Sequence, residues 1–131
     1  MDYEARRRAD SERRRLAVLN AAGECFGEEG YQRCSVDSIA ERAGVSKGLV
    51  FHFFKSKRGL FEAVMEDCLN QWATLSEYRA SGAQDNTLEE LRRLFLTSFD
   101  FVARNPVLAM FARPEEEVIQ GYRKKWKTSP L

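Results

Sequence analysis

A 131-residue chain with 44% hydrophobic and 31% charged residues has the composition of a compact globular fold, which excludes a disordered or fibrous protein. No run approaches the about 18 apolar residues of a membrane span, and the arginine-rich start lacks the apolar stretch of a secretory signal, so a cytoplasmic protein with no membrane partner is expected. The net charge of +1 hides an asymmetry: residues 1–60 carry 12 Lys and Arg against 9 Asp and Glu, and residues 61–131 carry 9 against 11.

Much of the N-terminal charge lies in Arg6, Arg7, Arg8 and Arg13, Arg14, Arg15, diluted by Asp2, Glu4, Asp10 and Glu12. That pattern suits either a solvated, frayed helix start or an arm that touches a polyanion. Leu16, Leu19, Ala22 and Phe26 then recur at helical spacing up to Gly30, which predicts a first helix over about residues 11–29. Ser35 is a good N-cap for a short second helix, Val36 to Ala43, and Gly44 supplies a positive-φ turn after it. Ser46 caps a third helix running to about Phe54.

Ser56 caps a fourth, whose Leu60, Phe61, Val64, Met65, Cys68, Leu69, Trp72 and Leu75 form a broad apolar stripe. Residues 80–87 are small and polar and read as a loop, with Thr87 capping a fifth helix. Leu88, Leu91, Phe95, Phe99 and Val102 share one face of it, and Asn105-Pro106 ends it. Val107 to Phe111 reads as a helical start, Pro114 interrupts, and Glu115 to Trp126 reads as a last helix. Strand-like alternation is absent, so the expected fold is all-α.

Cys25, Cys34 and Cys68 show no C-x-x-C spacing, and the single histidine, His52, completes no zinc pattern with them. They read as reduced thiols, with Cys34, beside a helix start, as a redox-sensing candidate. No Ser, Cys or carboxylate stands at a triad-like spacing from His52. Neither enzymatic activity nor a metal or cofactor is expected.

Two short helices cross steeply only where small or apolar residues line their contact and the turn is tight. Ile39, Ala43, Val45, Val50 and Phe53 face inward on this reading, Ala40 is small at the crossing, and Gly44 sits at the turn. Such a unit also serves as plain scaffold. The outward set on the third helix, Ser46, Lys47, Gly48, Leu49, His52 and Lys55, favours the major groove of DNA, because these residues are small, basic or able to hydrogen-bond. The N-terminal N–H groups of that helix also suit a phosphate.

The run from Ser35 to Lys57, SVDSIAERAGVSKGLVFHFFKSK, resembles the tetracycline-repressor (TetR) family, with support from Ala21-Ala22, Phe26, Gly30-Tyr31 and Leu60-Phe61. The resemblance implies a three-helix DNA-binding domain over residues 11–56. Residues 57–131 would then hold a connecting helix and part of an α-helical effector-binding and dimerisation domain. It makes Ser46, Lys47, Gly48 and Leu49 candidates for base-edge or near-base contact and puts Phe51, His52 and Lys57 where the family commonly touches phosphate; Ser35 and Lys55 complete the candidate DNA-binding set. Phe51 replaces a frequent tyrosine, removing a hydroxyl that would bond phosphate. Asp37 is acidic near DNA, so it either reads a cytosine amino group or is offset by Arg42, the second being favoured.

The second half is rich in aromatics, including Phe101, Tyr78, Tyr122 and Trp126. Trp72, Phe95, Phe99 and Phe111 are candidates to line a pocket for a small apolar effector, although ordinary core explains them equally. By the family's mechanism, ligand moves the fourth helix and respaces the recognition helices of a homodimer on a palindromic double-stranded operator, releasing a repressor. Family members normally continue into further helices through which they dimerise. The alternative is a truncated interaction module that pairs with a relative and does not bind DNA productively.

Overall fold

The computed structural model describes residues 2–80, 87–112 and 117–128. Six α-helices and one 3-10 helix follow in order: α1 (Tyr3–Glu29), α2 (Val36–Ala43), α3 (Lys47–Phe54), α4 (Lys57–Ala80), α5 (Thr87–Arg104), η1 (Pro106–Ala112) and α6 (Glu117–Thr128). The fold is all-α, with no strand among the described residues.

Helix α1 starts about two turns before the expected start at residue 11. The carboxylate of Asp2 caps it by accepting the N–H of Ala5 at 2.8 Å. Ion pairs one turn apart, Arg13 with Asp10 at 3.0 Å and Arg15 with Glu12 at 3.3 Å, line the exposed extension. Leu16, expected in the core, is exposed, because the buried face begins at Val18 and Leu19, where α1 meets its neighbours. The chain leaves α1 through Gly30, whose φ of 82° is open to glycine at little cost.

The core gathers Val18, Ala22, Cys25 and Phe26 from α1, Ile39 from α2, Val50 from α3, and Leu60, Phe61 and Met65 from α4, all essentially buried. Phe26, Tyr31 and Phe61 pack ring against ring with centroids 5.4–5.6 Å apart. Complete burial of a phenylalanine contributes roughly 1.5–3 kcal/mol, so Phe26 and Phe61 are principal ties between α1 and α4. Val107 and Met110 of η1 and Val118 and Ile119 of α6 belong to this same core.

The most extensive contact of α1 is with η1. It is possible because Gly27 faces the backbone carbonyl and ring of Pro106, leaving no room for a Cβ. Helix α4 buries its stripe only through Cys68; Leu69 is exposed and Trp72 and Leu75 are half-buried, because the helix outruns the elements it packs on.

Helix α5 inverts the expectation. Among its described side chains Thr97, Ser98 and Phe101 are buried or half-buried, whereas Leu88, Phe95, Phe99 and Val102 lie on the opposite face and are 52–79% exposed; the Leu91 side chain lies outside the described residues. The hydroxyl of Thr97 satisfies itself by donating to the Arg93 carbonyl at 2.6 Å, which permits a polar residue on the packed side.

Candidate nucleic-acid interface

Ser35 opens α2 with extended backbone, and its hydroxyl oxygen accepts the N–H of Ser38 at 3.1 Å. Ser46 does the same for α3, accepting from Leu49 at 3.1 Å. Each hydroxyl keeps its own proton, so a residue that starts a helix also has a donor to offer outward. Between the two, Gly44 is left-handed at φ 71°, ψ 32°, and the N–H of Val45 returns to the Ala40 carbonyl at 3.0 Å. This cap turns the chain sharply enough to lay α3 across α2.

Helix α3 is two-sided. Val50 and Phe54 are buried, Leu49 and Phe53 half-buried, and Lys47, Gly48, Phe51, His52 and Lys55 exposed. The exposed positions follow the spacing i, i+1, i+4, i+5, i+8 and so form one stripe. Phe54, rather than Phe53, is the deeper of the pair, and the Arg15 guanidinium sits 5.8 Å from its ring centroid.

The structure brings together Ser46, Lys47, Gly48, Phe51, His52 and Lys55 along this stripe, with Leu49 at its edge. Ser35 stands exposed at the start of the neighbouring helix. Lys55 ends α3 with a positive φ of 70°, unusual for a non-glycine residue, and its ammonium donates to the His52 carbonyl at 3.2 Å. Lys57 is different: it is half-buried, with its Nζ 4.3 Å from the Tyr31 ring centroid in a cation–π contact.

Asp37 is neutralised by Lys47, not by Arg42. Lys47 Nζ lies 3.1 Å from Asp37 Oδ2, while Arg42 turns to α1 and reaches Glu28 at 3.1 Å and Glu24 at 3.6 Å. Two carboxylates one turn apart on α1 compete for Arg42 more effectively than one residue on its own helix. This cross-helix pairing was not visible from spacing, since Asp37 and Lys47 are ten residues apart on separate elements. Beyond the stripe, Arg6, Arg7, Arg8, Arg13 and Arg14 are exposed on the extension of α1.

Of the effector candidates whose side chains are described, Trp72 is not brought together with Phe95 and Phe99. Trp72 packs against Phe101 with centroids 5.1 Å apart, on the inner side of α5. Phe95 and Phe99 contact each other at 5.1 Å on the outer side. The Phe111 side chain, like those of Tyr78, Tyr122 and Trp126, lies outside the described residues. Among the described residues no group of three or more His, Cys, Asp or Glu could hold a metal ion, and no helix is long and apolar enough to cross a membrane.

Residues 18–64, which span α1 to the first turns of α4, match the family model of the bacterial regulatory proteins, tetR family. The chain belongs to the TetR family. A relative, the HTH-type transcriptional regulator BetI of Burkholderia thailandensis, is 36% identical over 88 residues, covering 66% of this chain and 45% of that protein. Among solved structures, a gamma-butyrolactone receptor (ArpA-like protein) matches with a TM-score of 0.67 and 28% identity over 76% of this chain and 50% of its own. Another, described as the molecular basis for control of antibiotic production by bacterial hormones, matches with a TM-score of 0.64 and 33% identity over 89% of this chain and 59% of its own. The chain thus spans about half the length of the relatives it matches.

Proposed function

We propose that this TetR-family chain is a sequence-specific DNA-binding regulator of transcription that acts as a repressor. The observation that carries the reading is the exposed stripe of α3, where Lys47, Gly48, Phe51, His52 and Lys55 stand together on a short helix braced by Val50 and Phe54. A short helix with a small residue near its N-terminus and cations around it fits a major groove edge-on. Ser35, Ser46, Leu49 and Lys57 complete the surface on this reading.

Residues 11–56 form the DNA-reading unit, and 57–131 form the connecting helix and part of an effector and dimerisation domain. A homodimer reading two half-sites of a palindrome supplies the affinity a single short helix lacks. The related gamma-butyrolactone receptor bears the name of a small lactone, which supports a small-molecule effector acting through the α4–α5 region. A cytoplasmic location follows from this role.

Selection of random duplex DNA by the purified chain tests the proposal. Enrichment of a palindrome, weakened by salt and lost on combining Lys47→Ala with His52→Ala, supports it; sequence-independent binding overturns it. The exposed α5 face with Phe95 and Phe99 favours a second reading, an interaction module that pairs with a longer relative. Light scattering separates them: a monomer at micromolar concentration with no selected sequence favours the module.

A further inference from the structure

Arg6, Arg7 and Arg8 recur seven residues later as Arg13, Arg14 and Arg15. Seven residues make almost two helical turns, so each arginine stands on one line with its later counterpart, about 10.5 Å away along the axis. The helix that displays them has no packed side: from Tyr3 to Arg14 every residue but Ala5 is exposed, and burial begins only at Val18. An isolated segment of this length would barely hold a helix in water. Here the buried half of α1 supplies the nucleus, Asp2 caps the first turn, and the Asp10–Arg13 and Glu12–Arg15 pairs brace the middle.

These contacts occupy Asp2, Asp10 and Glu12 and leave most of the guanidinium groups to solvent. The side chains of Arg6, Arg8 and Arg14 have no partner among the described residues, and that of Arg7 only rests over the Tyr3 ring, 6.0 Å from its centroid. Tyr3, Ala5 and Ala9 are the only apolar residues from Tyr3 to Arg14, so the segment has no apolar stripe with which to enter a lipid surface or a protein groove. Its chemistry is that of a rod of guanidinium forks, which suits phosphate oxygens. Position indicates which phosphates. The Arg15 guanidinium lies 5.8 Å from the ring centroid of Phe54, the last residue of α3, so the rod leaves the body beside the end of α3 that carries His52 and Lys55. Residues 3–14 add about 18 Å of helix beyond that point.

We propose that this extension of α1 is a second DNA-binding element, in which Arg6, Arg7, Arg8 and Arg14 bind backbone phosphates flanking the half-site that α3 reads. It rests on the DNA-reading function proposed above and adds a contact outside the helix-turn-helix. Laid along a duplex, about 18 Å of helix passes roughly five phosphates of one strand, enough for one to each of these arginines. Arginine contacts to phosphate carry no base preference. The extension therefore raises affinity for every sequence alike, while the preference stays with α3.

The test compares the parent chain with a variant carrying Arg6→Gln, Arg7→Gln, Arg8→Gln and Arg14→Gln, glutamine being about as good a helix former as arginine. Arg13 and Arg15 are kept because they brace the helix, and circular dichroism should give both chains the same helix content. Fluorescence anisotropy across a salt series reads affinity on three duplexes: the selected palindrome trimmed to its ends, the same palindrome within long flanks, and a random sequence of the longer length. On both longer duplexes the variant should bind at least about tenfold more weakly at about 0.1 M salt, with a log–log salt slope shallower by roughly 2–4 per chain. On the trimmed palindrome the two chains should bind within about twofold, and the preference for the flanked palindrome over the random duplex should be unchanged. The charge-keeping counterpart, Arg6→Lys, Arg7→Lys, Arg8→Lys and Arg14→Lys, should retain the parent slope. Equal slopes for the parent and the glutamine variant on the flanked palindrome, or an equally large loss on the trimmed one, overturn the proposal. A parent chain that selects no palindrome overturns the sequence-specific reading alone; the extension is then decided on the random duplex, where the shallower slope supports it and an unchanged slope overturns it.

Discussion

Lys47 Nζ stands 3.1 Å from Asp37 Oδ2, so the first cation of α3 is held by a carboxylate from the helix before it. Both side chains are more than half exposed, and an exposed pair of this kind contributes about 0–1 kcal/mol to stability. Its consequence lies in binding, because the same carboxylate repels phosphate and shares Lys47 with it. Asp37→Asn should leave thermal stability within about 0.5 kcal/mol and tighten duplex binding up to about fivefold at low salt. The gain should fade as salt screens the removed charge. Fluorescence anisotropy across a salt series checks this, and an unchanged or weaker affinity would show that Asp37 contributes a contact of its own.

Phe51 presents a partly exposed ring on the α3 stripe without a polar tip. Phe51→Tyr should restore one hydrogen bond to phosphate and raise affinity by about 1 kcal/mol, or about fivefold. The fold should be untouched, since the added hydroxyl points to water. Equal affinities in a gel-shift titration would place Phe51 away from the backbone.

The glycines of α1 separate space from propensity. A methyl added at Gly23 would meet only the Val64 Cγ1, at an ordinary 3.7 Å, whereas one added at Gly27 would run into the Pro106 carbonyl. Gly23→Ala should therefore stabilise the chain by about 0.5–1 kcal/mol through helix propensity. Gly27→Ala should destabilise it by roughly 1–3 kcal/mol, because η1 must shift. Urea unfolding of both variants decides, and a stabilised Gly27→Ala would show that η1 yields freely.

Burial raises the thiol pKa of Cys34 and Cys68 and the phenol pKa of Tyr31. A group whose folded value exceeds its unfolded value contributes stability in full below the unfolded value and loses it as pH rises. Stability in reducing buffer should thus decline above about pH 8.5, the ordinary thiol range, with Tyr31 adding to the loss above about pH 10. Cys68→Ser should flatten the decline relative to the parent chain at the same pH values. Parallel slopes in urea titrations would exclude Cys68 as a contributor.

The helix-turn-helix was legible because its signals are local: Ser35 and Ser46 cap, Gly44 turns, and Ile39, Ala40 and Val50 bury as their spacing implies. The start of α1 was not legible from apolar rhythm, since a cap at Asp2 and side-chain pairing hold a solvated helix that has no buried face. The partners of Asp37 and Arg42 depend on how α1, α2 and α3 meet, which no spacing within one helix encodes. In α5 the rhythm identified a helix and misjudged its orientation: periodicity marks an apolar face without saying what covers it, and Thr97 and Phe101 pack inward instead.

The seat of η1 on α1 joins residues 27 and 106, far apart in the chain, within one core. During synthesis α1, α2, α3 and the first turns of α4 leave the ribosome well before Val107, Met110, Val118 and Ile119 do. Until those four arrive, the flank of α1 around Gly27 is uncovered, open to chaperones and to premature association. The helix-turn-helix end of this protein therefore reaches its final packing late, as a product of translation through its second half.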